Sequence, residues 1–303
     1  EVGAAAEVVA GNFVVNLTSR ELAVALSEEA SKRNRRVRCH IEMDTGLRRW
    51  GISPADLPSY LHFLSGLEGL EVEGIYTHFA NLDAGDMQDT ERAFREFMRT
   101  ADLADRMLGR KLLRHACNTA GTLLLPGMHL DMVRPGVGLY GILPLPVQTA
   151  VRLEPALSLK ARIAATRQLH AGQSVGYDAT YRTDRDTTIA VVPLGFGDGL
   201  PPHLGRQGEA LVHGVRVPIV GKISTDALVL DVGGCPGVRP GDEVVFIGRQ
   251  GPGCIRAEEM ARNLGTFVDP ILINLGRGLQ RKYIVGRSTL ARARLEEAEP
   301  GHR

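Results

Sequence analysis

The sequence predicts an α/β fold: a (β/α)8-type barrel, incomplete at its N-terminal side, joined to a mostly β domain. Three observations predict it. Up to about Pro146, short apolar runs alternate with amphipathic helical patterns, the arrangement that builds a parallel sheet. Polar and reactive side chains fall where those runs end, and in a barrel such ends share one face, which holds the active site. Beyond Pro146 the chain changes to short strands separated by turn residues, with one clear helix. The expected domains are therefore 1–146 and 147–303.

The elements follow in order. Residues 13–17 form a short apolar run, hence a buried strand, and Thr18 or Ser19 can cap a helix through Leu22, Val24, Ala25 and Leu26. Residues 37–43 are the next strand, and Ser53 is expected to cap a helix through Leu57, Tyr60, Leu61 and Phe63. A strand at 72–79 precedes a long amphipathic helix at about 90–108. Strands are expected at 112–117 and 137–142. In the second half, runs at 191–194, 216–220, 227–232 and 243–247 read as strands. His213-Gly214, Gly233-Gly234 and Pro240-Gly241-Asp242 supply the turns, and the helix lies near 256–264. A full barrel takes roughly 250 residues, about 30 per βα unit. The first half supplies about five or six strands on that spacing. Two or three units are expected to be missing on the N-terminal side, where Glu1-Val2-Gly3-Ala4-Ala5 opens in mid-pattern.

Composition narrows the function classes. The 303 residues carry 36 basic and 35 acidic side chains, a net charge of +1 that favours neither nucleic acid nor a membrane surface. Cys39, Cys117, Cys235 and Cys254 form no C-x-x-C pair, so no metal site is expected and the thiols read as reduced. With no basic-then-apolar leader pattern, the expected location is the cytoplasm.

The polar residues at the run ends belong to recognisable segments. His40 to Ile52 (HIEMDTGLRRWGI) resembles the alanine racemase pattern D-T-G-M-x-R-x-G, and Thr77-His78-Phe79-Ala80 its T-H-F-A. His115-Ala116-Cys117-Asn118-Thr119-Ala120 resembles H-x-A-N-S-A, and VRPGVGLYG, starting at Val133, resembles V-R-x-G-I-x-x-Y-G. The second half adds Gly176-Tyr177-Asp178-Ala179-Thr180-Tyr181, Pro193-Leu194-Gly195-Phe196-Gly197-Asp198-Gly199 and Val220-Gly221-Lys222-Ile223-Ser224-Thr225-Asp226. Seven segments in one order, over nearly the whole chain, identify it as resembling the alanine racemase family.

That resemblance implies a pyridoxal 5'-phosphate enzyme that interconverts L- and D-alanine as a head-to-tail homodimer. Removing the α-proton of an amino acid needs an electron sink, which this cofactor supplies. Two bases are needed, one per face. The resemblance implies Tyr177 as one of them, reaching into the partner's barrel. Nearby cations must then stabilise its phenolate, and His78 is the expected neighbour. Arg134 matches the arginine beside the pyridine nitrogen, where a permanent cation limits delocalisation and suppresses transamination. Asn118, Thr119 and the backbone of Gly136 and Val137 match cofactor positions, Thr119 standing where serine is usual. Arg49 matches the arginine that holds the cofactor's phenolic oxygen and the substrate carboxylate. Thr225 and Asp226 match a substrate-side loop from the other subunit.

The departures are specific. Glu42 stands where many relatives carry a carbamylated lysine, and is expected to accept hydrogen bonds from Arg49 in its place. Thr225 replaces a usual methionine and Phe196 a usual tyrosine. Arg277 falls near a phosphate-binding tyrosine of some relatives. The family's cofactor lysine, in a motif like V-V-K-A-N-A-Y-G-H-G, has no counterpart among Lys32, Lys111, Lys160, Lys222 and Lys282. The readings kept beside a racemase are a non-catalytic cofactor- or metabolite-binding relative, a simple fragment with no stable function, and a serine racemase of the same fold.

Overall fold

The computed structural model describes residues 2–82, 85–143, 149–276 and 278–284. The first half carries α1 (Ala5–Ala10), β1 (Val15–Asn16), α2 (Arg20–Lys32), β2 (Val37–Met43), α3 (Leu57–Ser65), β3 (Leu70–Thr77), α4 (Met87–Leu108), β4 (Leu113–His115) and α5 (Thr119–Leu124). Among the described residues its strands make one parallel sheet in the order β1-β2-β3-β4. Each strand thus lies beside its predecessor, the arrangement of successive βαβ units.

Strand β2 shows how the sheet divides its labour. Alternate residues of a strand face opposite ways. Cys39, Ile41 and Met43 are almost wholly buried among Leu26, Leu57, Leu61, Phe97 and other apolar residues of α2, α3 and α4. His40 and Glu42 take the other face, where their partners are polar. Hydrophobic burial at roughly 25 cal/mol per Å² holds the helices on the first face. The second face is left for chemistry.

Local signals set the helix ends. Ser19 Oγ accepts from the Leu22 amide at 3.2 Å, the capping role expected of it. Asp86 caps α4 through the Asp89 amide at 2.9 Å, and Gly109 closes it at φ 67°. Ser53 does not cap α3. Its carbonyl accepts from the Asp56 amide, making a turn, and the helix begins only at Leu57. Pro58 lies in the first helical turn, where its missing N–H is not needed.

Two strand expectations are corrected. The run at 13–17 pairs over Val15–Asn16 alone, with Phe13 and Val14 exposed. The run at 137–142 is a 3-10 turn, Val137–Tyr140. Gly136 sits at φ −94°, ψ −94° and Gly141 at φ 77°, so the backbone cannot run extended through this glycine-rich stretch.

The second half has β5 (Leu159–Arg162), β6 (Ala165–Leu169), β7 (Ser174–Val175), β8 (Tyr181–Arg182), β9 (Thr187–Val192), α6 (Leu204–Gln207), β10 (Glu209–Val212), β11 (Val215–Val220), β12 (Leu228–Asp231), β13 (Glu243–Gln250), β14 (Gly253–Ile255), α7 (Ala257–Asn263) and α8 (Val268–Asn274). The sheet order is β14-β13-β10-β11-β12-β9-β6, with β5 on β13. Every pairing in it is antiparallel. Val212, Leu230 and Phe246 are fully enclosed in its core. The sequence reading missed the strands β5, β6, β7, β8, β10 and β14 and the helices α6 and α8; α6 is a single turn, and Pro270 in α8 reads as a helix breaker but occupies its first turn, where it is tolerated. Ile142 already packs into this core, before the expected boundary at Pro146, which lies outside the described residues. No described helix is long and apolar enough to cross a membrane.

Candidate active site

The site builds outward from Arg134. Its backbone amide bonds Cys117 O at 2.9 Å, which lays the segment after β4 across the ends of the strands. Its guanidinium donates to Thr77 O at 2.9 Å, to Ala116 O at 3.3 Å and to His115 Nδ1. It also lies 4.9 Å from the centre of the Tyr76 ring. Every one of these partners is neutral. A cation so placed is costly to desolvate, and burial lowers its affinity for its proton relative to a free arginine.

The neighbours of this cation follow from register. β3 ends with Thr77, whose hydroxyl donates to Met43 O at 2.9 Å. Thr45 Oγ1 lies 2.7 Å from Thr77 Oγ1 and must therefore be the donor there. Tyr76 donates to Glu42 Oε2 at 2.8 Å, and Asn16 Nδ2 donates to the same oxygen at 3.2 Å. Glu42 is thus held by Asn16 and Tyr76, and the expected bond from Arg49 is not among its described contacts. Burial, then the bond to Glu42, pushes the Tyr76 hydroxyl well above the ordinary phenol range.

Arg49 sits on a loop closed at its base. Asp44 N bonds Ile52 O at 2.9 Å and Ile52 N bonds Glu42 O at 2.8 Å. Asp44 Oδ1 accepts from the amides of Gly46 and Arg48 at 2.9 and 3.1 Å, which shapes the turn. The Arg49 side chain is exposed at the tip. His78 follows β3 directly and is half-buried. Burial, followed by the charges of Arg134 and Arg49, lowers its pKa to about 4. His78 is therefore neutral near pH 7. The expectation that it supplies a cation is corrected: it can donate a hydrogen bond, while the positive charge comes from the two arginines.

Thr119 makes a second focus. It is buried, and its Oγ1 accepts from the amides of Gly136 and Gly138 at 3.0 and 3.1 Å. A Cβ on Gly136 would meet nothing within 4 Å, so open space adjoins this residue. Asn118 spends its side-chain oxygen on the Gly121 amide at 3.0 Å, capping α5.

Tyr177, Thr225 and Asp226 form a separate group on the β domain. Tyr177 is 67% exposed, between Gly176 at φ 74° and Asp178 at φ 58°. The Lys222 ammonium pairs with Asp178, tying this turn to the loop that carries Thr225 and Asp226, both exposed. Among the described residues no hydrogen bond or ion pair joins this group to Arg134, His78 or Arg49. Arg277 lies outside the described residues. The five lysines are all exposed, and no described group of three His, Cys, Asp or Glu is placed to hold a metal ion. Sequence reasoning assigned no role to Asn16, Tyr76, His40 or His115. The period-two spacing of His40 and Glu42 on one strand face was the available signal for His40.

The histidines give this site a pH signature. Burial lowers His115 to about 3 and also lowers His40, beside His78. Each is neutral when folded and takes up a proton more readily when unfolded. Their contribution to stability is complete above about pH 6.5 and declines as pH falls toward the folded values. The well-buried His115 alone is expected to give a slope approaching about 1.4 kcal/mol per pH unit. Urea unfolding midpoints measured from pH 7 to 5, above most carboxylate titrations, should fall. A flat profile there would contradict the burial of these rings.

Known proteins resemble the chain along both halves. Residues 1–144 match the alanine racemase N-terminal domain and residues 156–283 the alanine racemase C-terminal domain. The alanine racemase of Desulfovibrio desulfuricans is 35% identical over 286 residues, covering 93% of this chain and 75% of that protein. That of Symbiobacterium thermophilum is 38% identical over 283 residues, again 93% and 75%. The chain thus spans about three quarters of the length of these relatives. Among solved structures, alanine racemase from D-cycloserine-producing Streptomyces lavendulae superposes with a TM-score of 0.86 at 29% identity, over 93% of this chain and 75% of that one. Alanine racemase from Streptomyces coelicolor A3(2) gives 0.85 at 31% identity, over 90% and 73%. With both domains matched in order and the fold shared, the chain belongs to the alanine racemase family.

Proposed function

We propose that this chain provides most of an amino-acid racemase that interconverts L- and D-alanine with pyridoxal 5'-phosphate, as a cytoplasmic head-to-tail homodimer of two-domain subunits, 1–146 and 147–303. The observation that carries this reading is the half-buried Arg134 guanidinium among neutral acceptors only. An arginine at the pyridine nitrogen can donate a hydrogen bond there but gives up no proton.

The residues present fit the cofactor's non-covalent contacts. The Gly136 and Gly138 amides hold Thr119 Oγ1 in place, which leaves the Thr119 hydroxyl proton and the Val137 amide as the donors a phosphate would take beside the open space at Gly136. Bound there, pyridoxal phosphate supplies the electron sink for the α-carbanion. The exposed lysines do not fit the covalent contact, and no step is assigned to them.

The chain's own residues then divide the work. Arg49 offers its planar fork to the substrate carboxylate. Tyr177 of the partner subunit holds or returns the α-proton on one face, and the neutral imidazole of His78 can donate to its oxygen. Arg134 and Arg49 favour the phenolate by charge. Thr225 and Asp226 of the partner subunit border the substrate. The exposure of Tyr177 supports this arrangement, since a tyrosine ring normally buries a large apolar area.

The test uses the purified 303-residue chain with pyridoxal phosphate and L-alanine in deuterated water. Weak, reversible cofactor binding is expected, without borohydride-fixed labelling of any of the five lysines and without D-alanine. A longer product of the same gene that carries a lysine in the family's motif should bind covalently and yield α-deuterated D-alanine. Absence of racemisation from such a product would overturn the reading. Stoichiometric labelling of one lysine in the 303-residue chain, with racemisation, would overturn the assignment of covalent attachment elsewhere.

A further inference from the structure

Arg134 can only donate hydrogen bonds. Its contact with His115 Nδ1 therefore makes that nitrogen an unprotonated acceptor. The His115 proton then sits on Nε2, which lies 2.7 Å from His40 Nδ1. That nitrogen must accept in turn, so His40 carries its own proton on Nε2. Donation runs one way, from Arg134 through His115 to His40. The reverse order would set a His115 Nδ1 proton against an arginine N–H.

The surroundings hold this line in place. The Tyr76 ring stacks on His115 with centroids 4.6 Å apart and planes 8° from parallel. Tyr76 is itself fixed by Glu42. Gly74 leaves room for His40: a Cβ there would lie 2.8 Å from the imidazole ring. Burial keeps both imidazoles neutral, as the line requires. The three residues come from β2, the end of β4 and the segment after it, so no single element could hold Arg134 by itself.

We propose that His40 is a positioning residue that acts through His115: by accepting from His115 Nε2 it locks the imidazole that fixes the Arg134 guanidinium. Only the step from Arg134 to the cofactor rests on the racemase reading. The line of donation does not.

The experiment uses the full chain with 15N-labelled histidine and arginine. In the parent, His115 should show a protonated Nε2 and an unprotonated Nδ1, and the Arg134 Nη protons should be resolved. His40→Asn keeps an acceptor near the position of Nδ1 and should preserve both signatures. His40→Leu removes it and should average the Arg134 signals. If that variant does not fold, Gly74→Ala displaces the His40 ring while retaining it and should have the same effect. A second arm uses pyridoxal phosphate as the probe. Its dissociation constant should rise about tenfold in His40→Leu and stay near the parent value in His40→Asn. A His115 proton on Nδ1 in the parent, or unchanged Arg134 signals in His40→Leu, would overturn the proposal. If the folded parent binds no pyridoxal phosphate, the racemase reading fails, and the Arg134 signals still decide the role of His40.

Discussion

Tyr177→Phe, made in a racemising form of the protein, is expected to lower α-proton exchange from one enantiomer of alanine by about 10²–10⁴-fold, the usual contribution of an acid–base group. Exchange from the other enantiomer should suffer less in a single-turnover measurement, because its proton leaves toward the opposite face. The cofactor's absorbance should not change. The structure explains why the effect should be chemical and not structural. Tyr177 is 67% exposed, and the turn that presents it is held by its neighbours: the Lys222–Asp178 pair and the close approach of Gly176 to the backbone of Lys222. Removing one exposed hydroxyl should therefore leave the urea midpoint within about 0.5 kcal/mol of the parent. Activity within a factor of two of the parent would remove Tyr177 from the mechanism.

Gly195→Ala, made in the same racemising form, is expected to combine a loss of stability with a loss of activity. Gly195 lies against the loop that carries Thr225 and Asp226. A Cβ at this position would lie 2.3 Å from Thr225 O and 2.4 Å from Ser224 O, and both atoms are backbone. The loops must separate, which strains the bonds from Phe196 N to Ser224 O at 3.0 Å and from Gly197 N to Thr225 O at 2.8 Å. Overpacking of this kind costs about 1–3 kcal/mol. A displacement of about 1 Å in a positioning loop can cost on the order of 10²-fold in rate, so a comparable fall in kcat/KM for alanine is expected. Gly234→Ala is the control, because a Cβ there meets nothing within 4 Å. Denaturant midpoints and steady-state kinetics on both variants decide the matter. A Gly195→Ala protein with parental kinetics would show that the loop can move without consequence.

Much of this was legible in the sequence, for identifiable reasons. The strand at Val37–Met43 was read with both of its ends correct because apolar periodicity and β-branched content agree there. The strand expected at 137–142 failed because three glycines outweigh the apolar residues between them, and a glycine's conformation is set by what surrounds it. Arg134, His78 and Arg49 could be named from their motifs and do come within one electrostatic neighbourhood. Their protonation could not be read, because it depends on burial. The partners of Glu42 are 26 and 34 residues away in the chain, and His40 meets His115 across 75 residues. Such pairs are fixed by strand register and carry no local trace. The exposure of Tyr177 is likewise a property of the folded surface.

The division of β2 into two faces bears on how this scaffold tolerates change. Cys39, Ile41 and Met43 answer to apolar packing, while His40 and Glu42, one step away on the same backbone, answer chiefly to hydrogen-bond geometry. Mutational libraries confined to positions 40 and 42 would vary the polar face while leaving the apolar packing of the helices in place, and libraries at 39, 41 and 43 would do the reverse. A one-residue deletion inside β2 would put the residues on one side of it onto the opposite face, setting ionisable groups against the helices or apolar ones among the polar partners. Along this strand, point substitutions leave an evolutionary search open, whereas single-codon deletions close it.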